Sequence, residues 1–282
     1  MSIVKLCKMF DVTPQGYYKG MKRKSKQMCG EEIILQLVRS ERRKHPRIGG
    51  KKLYYKLKTT IQEMGIKMGR DKFFTLLREE KLLIKPKKRY ARTTDSNHHF
   101  RTHTNLIKDL ISTKPDGIWL SDITYMEIPR RVYMYLSLVT DDYSRKIVGW
   151  HLSDSLGVEG TLEALKQAIK GRKDLEGTIH HSDRGIQYCC NAYTGLLTSK
   201  RIKISMAEKG NPYENAIAER VNGILKNEYG LSRVFANEAE LRKAIKEAIY
   251  FYNNDRPHMS LGYKTPEEKY QEGKAKQEKQ AC

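Results

Sequence analysis

Residues 180–190 read HHSDRGIQYCC, where His180–His181 and Cys189–Cys190 flank Asp183. The four flanking residues are zinc-ligand types. Structural zinc sites, however, place paired ligands about two to five residues apart so that both face one ion. Adjacent residues on a strand point to opposite faces. Neither pair is therefore spaced to share a metal, and no zinc site is expected. The His and Cys pairs are expected to pack around Asp183, with His181 in a supporting or structural place.

Two further acids could join Asp183. Asp122 sits inside the apolar, β-type stretch WLSDITY, where a carboxylate is costly unless paired or bound to a metal. Glu219 follows Asp183 with 35 residues between them. Asn222, Gly223 and Lys226 lie three, four and seven positions after Glu219, which puts all four on one face of a helix. Three carboxylates could converge on hard cations. Magnesium takes oxygen ligands and keeps waters and phosphate oxygens. Two such ions can activate a nucleophile and stabilise the leaving oxygen of an in-line phosphoryl displacement. Glu214 also lies nearby, but only Glu219 has the 35-residue spacing.

The elements that must position these acids follow from pattern. GIWLSDITYMEI and VYMYLSLVTDD read as strands joined at Pro129-Arg130-Arg131, a hairpin-length connection. KIVGWHLS is a third strand, VEGTLEALKQAIKGR a helix, and GTIHHSD a fourth strand ending at Asp183. NAYTGLLTSKR is a helix, IKISM a short strand and NPYENAIAERVNGILKNEYG a helix. A long helix, NEAELRKAIKEAIYFYNN, then precedes a stretch read as an extended tail, DRPHMSLGYKTPEEKY. Asp141 and Asp142 are read as the turn between the second and third strands. Trp119, Tyr125, Tyr133, Tyr135 and Trp150 are read as core. Upstream, 2–26 looks helical and broken at Thr13-Pro14, with separate amphipathic helices expected at 31–44, 49–58 and 70–81. Residues 85–104 are basic and aperiodic and read as an exposed linker.

Charge is uneven. The chain of 282 residues carries a net +21. Residues 1–100 hold 26 Lys and Arg against 9 Asp and Glu, a net +17, and the remainder holds 28 against 24. A basic block of that kind suits a polyanion such as a nucleic-acid backbone. With 31% charged and 39% hydrophobic residues, the chain reads as globular. No apolar run reaches membrane-spanning length, and MSIVKLCKMFDV lacks the apolar core of a signal peptide. Five irregularly spaced cysteines point to reduced thiols and a cytoplasmic location.

Together, WLSDITY, DDYSRKIVGW, HSDRGIQY, NPYENAIAERVNGILKNE and YNNDRPHMSLGYKTPEE resemble the DDE transposases of bacterial insertion sequences, in particular their second-frame protein. The likeness is strong over residues 115–270 and weaker at HPRIGGKKLYYKLK, residues 45–58, which resembles a helix-turn-helix segment. The resemblance implies an α/β, ribonuclease H-like mixed five-stranded sheet with flanking helices, preceded by a basic helical region. The expected division is 1–95 for DNA binding, 96–114 as linker, 115–230 as catalytic core and 231–282 as a C-terminal helix and tail. It implies that Asp122, Asp183 and Glu219 are the catalytic, metal-binding acids, with two Mg²⁺ (Mn²⁺ substituting), and that Lys226 contacts DNA. Further candidate DNA contacts are Asn222 and Arg184 near the acids, and Lys51, Lys52, Lys87, Lys88 and Arg89 in the basic third. The implied activity is strand cleavage and strand transfer at terminal inverted repeats, by a homo-oligomer on bacterial nucleoid DNA that uses a first-frame protein or a fusion to it.

The chain departs from the family pattern at Glu214-Asn215, at Arg220-Val221-Asn222 and at Ile48-Gly49. None of these removes an acid. Two other readings stay open: a nuclease of the same fold that only hydrolyses, and a non-catalytic DNA-binding regulator.

Overall fold

A computed structural model describes residues 2–85, 102–108, 110–172, 174–208 and 215–281. The chain divides into two compact units, residues 1–85 and 86–282.

The first unit is helical. It contains α1 (Ile3–Met9), α2 (Pro14–Lys44), α3 (Gly50–Glu63) and α4 (Arg70–Glu79). Thr13 caps α2, its hydroxyl oxygen accepting from Gly16 N–H at 3.0 Å with Pro14 at the first helical position. The helices expected at 14–26 and 31–44 are one continuous helix of 31 residues. Gly30, within it, is kept by packing: a Cβ there would meet Ile66 at 3.3 Å. The core joins Ile34, Leu35 and Val38 of α2 to Leu53, Leu57 and Ile61 of α3 and Phe73 and Leu77 of α4. The four-residue spacing along α3 is the stripe that buries one helix face.

The second unit carries one five-stranded sheet. Its strands are β1 (Ile118–Ile128), β2 (Val132–Asp141), β3 (Ile147–Ser153), β4 (Ile179–Ser182) and β5 (Lys203–Met206), in the order β3-β2-β1-β4-β5. β1 pairs antiparallel with β2, and β2 with β3, while β4 lies parallel to both β1 and β5. This is the mixed, ribonuclease H-like order. Pro129–Arg131 turns the β1–β2 hairpin.

Helices cover both faces. α5 (Val158–Ile169), the short α6 (Ile186–Cys189) and α7 (Asn191–Ser199) pack with Trp119, Val139 and Met206. α8 (Ala216–Asn227) and α9 (Glu238–Asn254) pack with Met126, Met134, Leu136 and Leu138. The alternation of β1 decides which residue meets which layer.

The stretch expected as an extended tail instead forms a short 3₁₀ turn, Met259–Leu261, followed by α10 (Pro266–Ala281). The reason is a capping box at Thr265-Pro266-Glu267-Glu268. Glu268 N–H donates to the Thr265 hydroxyl at 3.2 Å, and Thr265 N–H donates to the Glu268 carboxylate at 2.7 Å. Asp116 fastens α10 to the start of β1. Its carboxylate accepts from Trp119 Nε1 and Arg172 Nε at 3.0 Å each, from the Tyr270 hydroxyl at 2.6 Å, and pairs with Lys274 at 2.8 Å. Burial opposes its charge, but Arg172 and then Lys274 and Tyr270 hold its carboxyl below the usual range.

Asp141 and Asp142 form the β2–β3 turn, as expected. Asp141 accepts from Asp116 N–H and Ser144 N–H at 2.8 Å each, and Asp142 pairs with Arg145.

Gly149 lets α5 lie against β3. A Cβ there would sit 2.1 Å from Ala164 O and 2.9 Å from Ala168 N, backbone atoms that cannot swing aside. Gly149→Ala is expected to lower the thermal melting temperature by roughly 5–10 °C, corresponding to overpacking of about 2–3 kcal/mol. Melting followed by circular dichroism checks this; an unchanged midpoint would contradict the packing described.

Candidate active site

β1 and β4 set two of the acids side by side. Ile118 pairs with Ile179, Trp119 with His180 and Leu120 with His181. Asp122 lies two residues beyond Leu120 on β1, and Asp183 two residues beyond His181, just past the end of β4. Asp183 lies just past the end of β4, the position at which open α/β sheets place ligands, while β1 continues past Asp122 to Ile128.

Each carboxylate is held locally. Asp122 Oδ1 accepts from Ile123 N–H at 2.9 Å, and its Oδ2 accepts from the Asn222 amide at 2.8 Å. Asp183 Oδ1 accepts from Gly185 N–H at 2.9 Å. Space at Gly185 is tight: a Cβ would lie 3.0 Å from both Asp183 Oδ1 and Gln187 Oε1. Burial pushes the Asp183 carboxyl above its ordinary range, and the Gly185 N–H only partly opposes this.

Glu219 lies on α8, and its carboxylate does not close with those of Asp122 and Asp183 into one ligand cluster. It is exposed and lies one turn before Asn222, whose contact with Asp122 turns this stripe of the helix toward β1. The opposite face of α8 is anchored by buried Val221, Ile224 and Leu225. Its C-terminal end is fixed by Glu228, which takes a two-pronged pair from buried Arg256 at 2.9 and 3.2 Å. Asn215, before the first turn, donates to Ser121 O at 3.2 Å. Glu214 lies outside the described residues.

The other candidates divide. Asn222 is 2% exposed, and its amide serves Asp122. Lys226 lies with its ammonium 4.4 Å above the Tyr125 ring. Arg184 donates from Nε to Ala207 O at 2.8 Å. Lys51, exposed, and Lys52, half-buried, are in the first turn of α3 in the other unit. Lys87, Lys88 and Arg89 fall outside the described residues.

The His and Cys pairs point apart. His180 Nε2 meets Ser121 Oγ at 2.7 Å and Tyr193 OH at 2.9 Å, whereas His181 Nδ1 meets Ser205 Oγ at 2.9 Å. Burial pushes His180 down to about 3, so its ring is neutral. Cys189 contacts Met206 Sδ, and Cys190 contacts Gln187 O.

Three features escaped the sequence reading. Arg256–Glu228 joins residues with no periodic relation. Tyr188 is buried with its hydroxyl unpartnered among the described residues; burial, Tyr193 and then Asp183 and Asp122 push its pKa upward, so it stays protonated. Tyr125 and Tyr133, expected in the core, are 47% and 41% exposed. β4 ends at Ser182 while β1 runs on to Ile128, so this end of the hairpin outruns its neighbouring strand.

The donor set suits a hard cation. It offers carboxylate oxygens, those of half-buried Asp183 and of Asp122, and next to Asp122 an Asn222 Oδ1 that is buried and unpartnered among the described residues. With no cation bound, the charge of Asp183 opposes folding. Its folded pKa lies above the unfolded one, so stability rises as pH falls through the folded value. Asp183→Asn is therefore expected to raise the melting temperature in EDTA at pH 7, and the gap from wild type should narrow as pH falls and the wild-type carboxyl protonates. A variant that melts lower at pH 7 would contradict this electrostatic assignment.

Comparison with known proteins gives the family. The sequence matches the integrase core domain family over residues 112–212 and a second integrase core domain description over 200–266. An insertion element IS600 uncharacterized 31 kDa protein of Shigella sonnei is 33% identical over 93% of this chain and 96% of its own length. The transposase for insertion sequence element IS629 of Shigella sonnei is 28% identical over 93% of this chain and 89% of its own. The HTLV-2 integrase catalytic core domain, solved in complex with magnesium, resembles 57% of this chain and 99% of that one, with a TM-score of 0.46 and 22% identity. The chain belongs to the bacterial insertion-sequence transposases with a DDE-type integrase core.

Proposed function

We propose that the chain is a polynucleotidyl transferase that cleaves DNA at the ends of an insertion sequence and joins the freed ends to a target. The observation that supports this reading is the β1–β4 register, which leaves Asp122 and Asp183 each two residues beyond its last pair, Leu120 and His181, with the helix bearing Glu219 tied to Asp122 through Asn222. Asp122, Asp183 and Glu219 would hold divalent magnesium, in the two-ion arrangement, with manganese able to substitute. When bound, such ions supply charge neutralisation at phosphate and a readily ionised water.

The chain's own residues then position. The carboxylates would hold the ions and, being anionic, do not themselves bind the phosphodiester. Asn222 keeps Asp122 in one orientation, and the Gly185 N–H does the same for Asp183. In the first reaction, water attacks phosphorus; a P–O bond forms, the bond to the 3′ oxygen breaks, and a 3′-OH leaves with a proton. In the second, that 3′-OH attacks a target phosphodiester, forming one P–O bond as another breaks. Neither step needs a covalent link to the protein. Alignment of attacking and leaving oxygens accounts for much of the rate.

The basic helical unit, with Lys51 and Lys52 on α3, supports DNA binding outside the core, its phosphate contacts fixing position. Lys226 and Arg184 are read as phosphate contacts beside the acids, and Asn222 as a holder of Asp122. The division 1–95, 96–114, 115–230 and 231–282, a homo-oligomeric assembly on DNA and a first-frame partner belong to the same proposal, as does a place on the bacterial nucleoid. No helix among the described residues is long and apolar enough to cross a membrane.

Asp122→Asn, Asp183→Asn and Glu219→Gln are each expected to reduce Mg²⁺-dependent cleavage of terminal DNA on the order of 10³-fold while leaving DNA binding in place. Asn222→Ala should lose about 10–100-fold in activity or metal affinity. Gel assays of strand cleavage and strand transfer check both. Cleavage retained in Asp183→Asn would sink the site assignment, and cleavage without joining in the wild type would favour a hydrolytic nuclease.

A further inference from the structure

Just before Asp122, β1 has a backbone carbonyl that its neighbouring strand no longer reaches. Gly117 O accepts from Ile179 N–H at 2.9 Å on the β4 side, and Ile118 O accepts from Asp142 N–H at 2.9 Å on the other. Backbone groups alternate in direction along a strand, so those of Trp119, Ser121 and Ile123 turn to the β4 side with Gly117. β4 ends at Ser182, and its pairs with β1 stop at Leu120 and His181. The Ser121 carbonyl and the Ile123 N–H lie beyond that last pair. They belong to the two peptide groups that flank Asp122.

Neither is satisfied by a strand. Ile123 N–H donates to Asp122 Oδ1 at 2.9 Å. Ser121 O accepts from the Asn215 amide at 3.2 Å. Asn215 thus supplies the donor that a further residue of β4 would have given.

Asn215 forgoes its usual role to do so. It stands just before α8, where an Asn side chain ordinarily caps the helix by accepting from a first-turn N–H. Its side chain makes no such bond. It is 7% exposed, and its Oδ1 is buried without a partner among the described residues. A carbonyl only accepts, so the end that meets Ser121 O is the amide nitrogen. Burying the amide oxygen unpaired opposes folding, so a capping role does not account for the residue.

Asn215 and Asn222 together bracket Asp122. Asn222 holds the carboxylate through Oδ2 at 2.8 Å, and Asn215 holds the peptide group before it. They are seven residues apart, about two helical turns, and Glu219 lies between them. A slide or rotation of α8 would break one contact or the other.

We infer that Asn215 is a positioning residue whose amide stands in for the missing continuation of β4, fixing the backbone at Asp122 together with the start of the helix that carries Glu219. The inference rests on the transposase reading. Asn215 acts through Asp122 and takes no part in bond making.

The test compares two variants of the full-length chain. Asn215→Ser and Asn215→Ala both lose the reach to Ser121 O, but Ser brings a capping hydroxyl to the helix start and Ala does not. Mn²⁺ binding without DNA is read by electron paramagnetic resonance, counting the sites that Asp183→Asn loses. Both variants should bind Mn²⁺ about 10–100-fold more weakly than wild type, by the same factor in each. The Ser variant should melt at or above the temperature of the Ala variant, as followed by circular dichroism. The cleavage rate at saturating terminal DNA should fall with Mn²⁺ affinity, while the Kd for that DNA in EDTA stays unchanged. Mn²⁺ affinity that follows the melting temperature, with Ser near wild type and Ala weak, would make Asn215 a helix cap and overturn the inference. Mn²⁺ affinity retained in both variants, in a chain whose wild type cleaves terminal DNA, would sink the positioning tie alone. Weakened Mn²⁺ binding in both variants of a chain that cleaves no DNA would uphold the tie and overturn the transposase reading.

Discussion

β1 is paired unequally on its two sides, and the rest of the catalytic unit depends on that asymmetry. Along one side it is hydrogen-bonded to β2 from Trp119 to Ile128; along the other, the pairs with β4 stop at Leu120. A strand supported on one side and open on the other can present a carboxylate at a stable position while leaving room for a substrate. Had β4 run further, Asp122 would face a neighbouring strand. Had β2 been shorter, the outer half of β1 would be unsupported, since a lone strand has no partner for its backbone groups.

The third acid is positioned by a different principle. α8 does not belong to the sheet, so its placement rests on packing and a few polar ties. Val221, Ile224 and Leu225 fill the core between the sheet and α9. Asn222 then converts that packing into orientation at Asp122, and Arg256 fixes the far end of the helix through Glu228. A buried, two-pronged ion pair fixes direction as well as distance. Metal sites depend on such supporting residues nearly as much as on the ligands themselves.

Much of this was legible in the sequence. The hairpin at Pro129-Arg130-Arg131, the helix at 158–169 and the strand ending at Asp183 follow from alternation, periodicity and turn residues, which are local properties. Asn222 was legible as a member of the Glu219 stripe, but not as a partner of Asp122, because the two are 100 residues apart and only the folded sheet brings them together. The exposure of Tyr125 and Tyr133 was hidden for a related reason. Their composition is that of a core strand, yet they lie where the hairpin runs beyond its pairing with β4 on one side and β3 on the other, a tertiary fact. Thr265-Pro266-Glu267-Glu268 was a local signal that was passed over: a capping box begins a helix there. The two helices expected within 14–44 are one, Gly30 at their junction lying inside the helix rather than in a turn.

The Asp116 clasp bears on how the molecule comes into being. It joins the residue just before β1 to Arg172 after α5 and to Tyr270 on α10, a separation of 154 residues. Contacts that distant are slow to close, because the chain between must first be ordered. During synthesis, Asp116 leaves the ribosome long before its last partners, and until they arrive its charge must stay solvated. The start of β1 therefore acquires its final setting only when nearly all of the chain has been made. A nascent or prematurely ended polypeptide carries all three acids without the fastening beneath them, so the folding schedule itself sets a checkpoint between translation and a competent catalytic core.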